Sequence, residues 1–165
     1  MKKVAIVMGS GSDAPLAKDA IAVLQEFGVP FSARVLSAHR TPDEAAAFAK
    51  SAEAEGFGAI VALAGKAAHL AGAMAAHSLL PVIGVPVGGR DLGGMDALLS
   101  TAQMPKGIPV ATVAIDGAAN AALLAVRILA LSDEALNQKL KEYARKLAEK
   151  SAEADAALQK EIATL

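Results

Sequence analysis

The 165-residue chain has no cysteine and no tryptophan. Without cysteine there is no disulfide, no thiolate metal site and no cysteine nucleophile. Aromatic residues make up only 3% of the chain against 54% hydrophobic residues, so a core must be built from Ala, Val, Ile and Leu. Such small side chains let helices and strands approach closely, and the alanine excess also points to tight subunit contacts. A surplus of one charge is missing too: 16 Lys and Arg face 17 Asp and Glu. That balance gives no reason to expect nucleic acid or an anionic membrane as partner, and an anionic small ligand would need a local basic cluster. No apolar stretch reaches the roughly 18 residues of a membrane span. Lys2 and Lys3 precede an apolar run that stops at Gly9, too short for a secretory segment, so a cytoplasmic location is expected. The length fits a single domain over residues 1–165.

What is present is a repeated strand–loop–helix pattern. Residues 4–8 are an aliphatic run of strand length, followed by a small-residue loop at 9–13 and helical spacing through Leu16, Ala20, Val23, Leu24 and Phe27. A second strand is expected at 31–36, closing on Ser37, Ala38, His39 and Arg40, with Thr41 as helix cap and Pro42 in the first helical position. The third unit is a strand at 59–63, a loop at 64–66 and an alanine-rich helix at 67–79 that is expected to lie deep in the protein. A fourth strand at 82–85 leads into a glycine-rich loop at 88–94 and a helix at 95–102. A fifth strand at 109–114 and a helix at 118–131 complete the series. Strands this aliphatic are expected to have no solvent face. The pattern predicts an α/β protein with a doubly wound, three-layer parallel sheet of five strands, flavodoxin-like in order. From Asp133 onward, Leu136, Leu140, Tyr143 and Leu147 recur at helical spacing among Lys and Glu. They predict an extra C-terminal amphipathic helix over 133–165, packed on its own domain or on a neighbouring subunit.

In an open parallel sheet, ligands bind beyond the carboxyl ends of the strands. This rule selects the loops at 9–13, 37–41, 64–70 and 88–94. Ser10 and Ser12, with glycines and backbone amides at a helix start, suit a phosphate; Asp13 suits ribose hydroxyls, and Ser12 or Asp13 could also cap the helix. His39 can take and return a proton near neutral pH, and Arg40 beside it can hold an anion through paired hydrogen bonds. Isolated histidines are more often loop residues without a catalytic role. Here, however, His69 falls on the same edge, so two of the three histidines meet the expected site, while His77 reads as structural.

Other chemistries fit poorly. Gly9, Gly11 and Ala14 match a dinucleotide fingerprint, but the acidic residue expected after the second strand is missing. No phosphate-loop lysine, H-E-x-x-H metal motif or G-x-S-x-G nucleophile elbow occurs. A phosphate-receiving regulator would need an aspartate where Ala64 and Gly65 stand, and a flavin site would need aromatics in the selected loops.

Taken together, Met8-Gly9-Ser10-x-Ser12-Asp13, residues 37–42, Ala67-Ala68-His69-Leu70, the Gln103-Met104-Pro105-x-Gly107-Ile108-Pro109-Val110 run and residues 120–125 resemble the N5-carboxyaminoimidazole ribonucleotide mutase family, collinearly over nearly the whole chain. The resemblance implies an isomerase of purine biosynthesis that moves a carboxyl group from nitrogen to C4 of an aminoimidazole ribonucleotide, with no cofactor and no metal. It implies that Ser10, Ser12 and Arg40 hold the phosphate, Asp13 the ribose, and that Ala64, Gly65, Lys66, Ala67, Ala68 and Leu70 enclose the migrating carboxyl. Ser37 joins this substrate-binding set; His39 and His69 are the catalytic residues, with His39 as acid/base. A homo-octamer with sites at subunit contacts is implied as well. Lys66 departs from the pattern, since many members carry a second glycine there, and Arg90 and Asp91 charge a loop that is less charged in many relatives. Two rivals stay open: a related carboxylase that uses CO2 directly, and a non-catalytic nucleotide-binding module.

Overall fold

A computed structural model of the chain describes residues 1–164. Two compact units are present, 1–129 and 130–165, the latter described through Thr164. The first unit contains β1 (Lys3–Met8), a 3-10 turn (Gly11–Asp13), α1 (Ala14–Phe27), β2 (Phe31–Val35), α2 (Pro42–Ser51), β3 (Phe57–Gly65), α3 (Leu70–His77), β4 (Val82–Val87), α4 (Met95–Ala102), β5 (Ala111–Thr112) and nearly all of α5 (Ala118–Ala130). The strands form one sheet in the order β2-β1-β3-β4-β5, with every pairing parallel. This is the flavodoxin-like order, with helices on both faces, and its direction of winding reverses between β1 and β3.

Local chemistry explains the element ends. Gly28 takes up a left-handed conformation (φ 70°), and its N–H closes α1 onto the carbonyls of Leu24 and Gln25. Pro42 opens α2, but the Thr41 hydroxyl is not its cap. Instead it accepts from the Ser37 N–H (3.0 Å) and donates to the Ser37 carbonyl (3.1 Å), tying off the loop after β2. Neither Ser12 nor Asp13 caps α1; Ser10 and Asp13 form a capping box around the 3-10 turn.

The core lies along the central strands. Ala5 and Val7 of β1 and Ile60 and Ala62 of β3 pack with Phe48, Leu70 and Met74 from α2 and α3, while Val4 and Ile6 are buried on the other face. Each fully buried Val, Ile or Leu contributes about 1.5–3 kcal/mol relative to exposure, so a core with few aromatic rings is still a strong one.

Four sequence expectations need correction. β2 has a solvent face, with Ala33, Arg34 and Val35 exposed, because an edge strand is paired on one side only and this one carries polar residues. α3 starts at Leu70 and not at 67, because Lys66 sits at φ 56°, which does not lead into a right-handed helix. It ends at His77, with Ala76 and His77 exposed and only Leu70, Ala71 and Met74 buried, so it does not lie wholly in the interior. The β5 ladder is two residues long, since Pro109 lacks an N–H, although Val113 still donates to the Gly84 carbonyl (3.1 Å).

The second unit is dominated by α6 (Glu134–Ile162), whose N-terminus is capped by Asp133 accepting from the Leu136 N–H (3.0 Å). Arg145 bridges Glu142 and Glu149 on its surface, while Leu147, Leu158 and Ile162 are about half exposed. Leu165, the last residue of the expected helical segment, lies outside the described residues.

Candidate active site

Beyond the carboxyl ends of the strands lies a cleft of about 490 Å³, at the β1/β3 reversal. It is lined by Ser10, Ser12, Asp13, Ser37, His39, Arg40, Ala64, Gly65, Lys66, Ala67, His69 and Leu70. Of the residues singled out from the sequence only Ala68 does not line it; its side chain is buried in the core behind the wall. The cleft also takes in Val87, Gly88 and Gly89 at the end of β4. Gly88 and Gly89 open the 88–94 loop that the sequence places on this edge, whereas Val87 is not named for it.

The first loop is an ordered web of hydroxyls. The Ser12 hydroxyl donates to Ser10 Oγ (2.9 Å) and lies 3.3 Å from Asp13 Oδ1, while the Ser10 N–H donates to Asp13 Oδ2 (3.1 Å). Among the described residues Asp13 is the one charged residue that is buried. Burial pushes its carboxyl above the ordinary aspartate range, opposed by the Ser10 N–H, the Ser12 hydroxyl and the Arg40 charge. Arg40 crosses from the second loop to the first: its Nη2 donates to the Gly9 carbonyl (3.0 Å), and its backbone N–H donates to Ser37 Oγ (3.1 Å). A fixed guanidinium therefore stands beside the serines, an arrangement suited to an oxyanion such as phosphate.

His39 and His69 come from loops 30 residues apart and meet edge to face, with His39 Nε2 2.7 Å from His69 Nδ1. At that distance the two nitrogens hold one hydrogen between them, so one ring donates and the other accepts. The pair can hold a proton or pass it on. Lys66 Nζ lies 2.9 Å from Asp91 Oδ2, and that carboxylate raises the lysine above its ordinary range. Asp116, at φ 59°, accepts the Gly88 N–H through Oδ1 (2.7 Å). Sequence reasoning missed Asp116; an Asp-Gly pair after a strand signals a turn but not the loop its carboxylate reaches.

A larger cleft of about 720 Å³ is formed by residues near the start of β4 and of β5, with Gly107, Ile108 and Pro109 among them. Its ionisable groups are Lys50 and His77, and it has none of the serine web or the imidazole pair. Size does not decide function here; the convergence of polar groups does. Among the described residues, no three of His, Asp and Glu converge as metal ligands.

A family model described as AIR carboxylase matches residues 3–150. The chain belongs to this family. Two relatives make the likeness closer. A Brucella melitensis protein named N5-carboxyaminoimidazole ribonucleotide mutase is 55% identical over 152 residues, 91% of this chain and 94% of that one. The protein of the same name from Pyrococcus horikoshii is 53% identical over 147 residues, 89% and 83% of the two chains. The crystal structure of Treponema denticola PurE superimposes with a TM-score of 0.86 at 33% identity, covering 94% of this chain and 97% of that one. The likeness thus extends over nearly the full length of the chain.

Proposed function

We propose that the chain is an N5-carboxyaminoimidazole ribonucleotide mutase of purine biosynthesis, an isomerase that converts its substrate to the 4-carboxy-5-aminoimidazole ribonucleotide. The observation that carries this reading is the His39–His69 contact of 2.7 Å in the same cleft as the serine web and Arg40. The names of relatives at 53% and 55% identity support it.

In this reading Ser10, Ser12 and Arg40 hold the phosphate, with Ser37 fixing Arg40, and Asp13 accepts from the ribose hydroxyls. The loop from Ala64 through Leu70 encloses the carboxyl group. The N–C bond of the carbamate breaks with its electron pair staying on nitrogen, which takes a proton and becomes the free amine, leaving CO2. The electron-rich C4 of the imidazole attacks that CO2 to form the new C–C bond, and C4 then gives its proton to His39. One proton is taken up and one released, so the reaction is an isomerisation and His39 can serve in both directions. His69 accepts or donates at His39 Nε2 and keeps the ring oriented. CO2 must not escape between the two steps, which favours a site walled by small residues and closed to water.

No cofactor or metal enters this scheme. The same reading assigns a homo-octamer in the cytoplasm, one domain over 1–165, and α6 at a subunit contact, where its half-exposed Leu147, Leu158 and Ile162 would be covered. No described helix is long and apolar enough to cross a membrane.

The test is to incubate the purified protein, without ATP, with N5-carboxyaminoimidazole ribonucleotide in one reaction and with aminoimidazole ribonucleotide plus excess bicarbonate in another. Efficient formation of the C4-carboxylated product only in the first, lost in His39→Asn with ligand binding retained, is the expected result. Product only in the second would make the protein a carboxylase; product in neither would leave a nucleotide-binding module.

A further inference from the structure

The loop 88–94 has the construction of a hinged flap. Glycines stand at both its ends, Gly88 and Gly89 on one side and Gly93 (φ 61°) and Gly94 (φ 90°) on the other. The two ends touch: a Cβ on Gly94 would lie 3.1 Å from the Cα of Gly88. The root is pinned by Asp116, which holds the Gly88 N–H at 2.7 Å and whose carboxylate would have to shift for a side chain at that glycine. Beyond the root, Arg90, Asp91 and Leu92 are exposed. The tip is tied to the cleft by Lys66, whose ammonium reaches Asp91 at 2.9 Å from the opposite loop. Lys66 does so from a left-handed backbone (φ 56°) that a glycine would adopt at less cost, so the side chain is present in spite of the conformation.

We propose that Lys66 and Asp91 form a clasp that holds the 88–94 loop against the mouth of the cleft and so sets the fraction of liberated CO2 that is recaptured on C4. The proposal rests on the mutase reading. Lys66 lines the cleft together with Gly88 and Gly89, so its bond to Asp91 joins one wall to the flap that springs from the other. Both partners are well exposed, at 78% and 68% of their side-chain surface. An ion pair of this kind is weak and reversible, which suits a closure that must open for substrate and product. It is also screened by salt. The clasp acts on escape of CO2 and leaves the proton transfer at His39 untouched, which makes Asp91 a positioning residue.

The test measures, in sealed CO2-free buffer, the ratio of aminoimidazole ribonucleotide released to C4-carboxylated product formed, with spontaneous carbamate breakdown subtracted. Asp91→Asn should raise this leakage ratio about two- to fivefold, the range that losing one exposed ion pair can produce. Leakage of the unsubstituted protein should rise with ionic strength, and that of Asp91→Asn should not. Equal leakage in the unsubstituted protein and Asp91→Asn, or an ionic-strength dependence that Asp91→Asn keeps in full, overturns the clasp while leaving the mutase reading in place. Failure of the unsubstituted protein to make any carboxylated product overturns both.

Discussion

Replacing His69 with alanine tests the imidazole pair directly. His69 is exposed, occupies the N-cap position of α3 without capping it through its side chain, and its ring is bonded to His39 at 2.7 Å. The substitution therefore removes one side-chain hydrogen bond and little else. While both rings are neutral that bond is worth about 0.5–1.5 kcal/mol, but when His39 takes the C4 proton it becomes charge-assisted, about 1.5–3 kcal/mol. Only the difference, about 1–1.5 kcal/mol, falls on the step from bound substrate to transition state, so kcat should drop roughly 5- to 13-fold with KM within about threefold. Solvent access to both rings puts the expectation at the low end, about fivefold. The assay is steady-state conversion of N5-carboxyaminoimidazole ribonucleotide, with urea unfolding as a control in which stability should fall by no more than about 1.5 kcal/mol. His69→Asn, which keeps a polar atom near the Nδ1 position, should retain more activity than the alanine variant. A kcat for His69→Ala within twofold of the unsubstituted protein would refute the idea that the pair orients the proton carrier.

Three other outcomes follow from the same geometry. Arg40→Ala should raise KM by an amount on the order of 1.5 to 3 kcal/mol, since it removes the guanidinium beside the serine web, and an unchanged KM would argue against a phosphate there. Asp13 has a raised carboxyl pKa, chiefly from burial, so its stabilising share is fully present below the unfolded-state value and is lost as pH rises through the folded one. Urea unfolding should show Asp13→Asn gaining stability relative to the unsubstituted protein as pH climbs through the acid range, while KM rises about fivefold for loss of a charged ribose acceptor; a pH-independent difference would count against this account. Gly84→Ala should destabilise by about 1–3 kcal/mol in chemical unfolding, because its Cβ would collide with Thr101 Cγ2 and press on Val110 and Ala71. Thr101 is buried and its hydroxyl is held by the Ala97 carbonyl at 2.7 Å, so it cannot turn away freely; an unaltered midpoint would mean that it can.

Much about this protein was legible in residue order because it depends on neighbours in the chain. The aliphatic run at 4–8 and the start of α2 at Pro42 follow from local spacing and backbone preference, and alternating units of that kind leave a parallel sheet as the economical arrangement. Once the sheet is parallel, its carboxyl edge is a topological fact, and that is why twelve of the thirteen residues singled out for the site line one cleft, Ala68 being the exception. The tertiary structure decided the rest. His39 and His69 could be assigned to one edge from sequence, but their 2.7 Å contact depends on the registers of β2 and β3 against β1 and on the turn at Lys66. The reach of Asp116 to Gly88 and of Lys66 to Asp91 spans 28 and 25 residues and leaves no periodic trace. Exposure of β2 likewise owes part to its place at the sheet edge, a property of strand order. Local spacing determines which element a residue joins; the side-chain distances that make chemistry are set by how those elements pack.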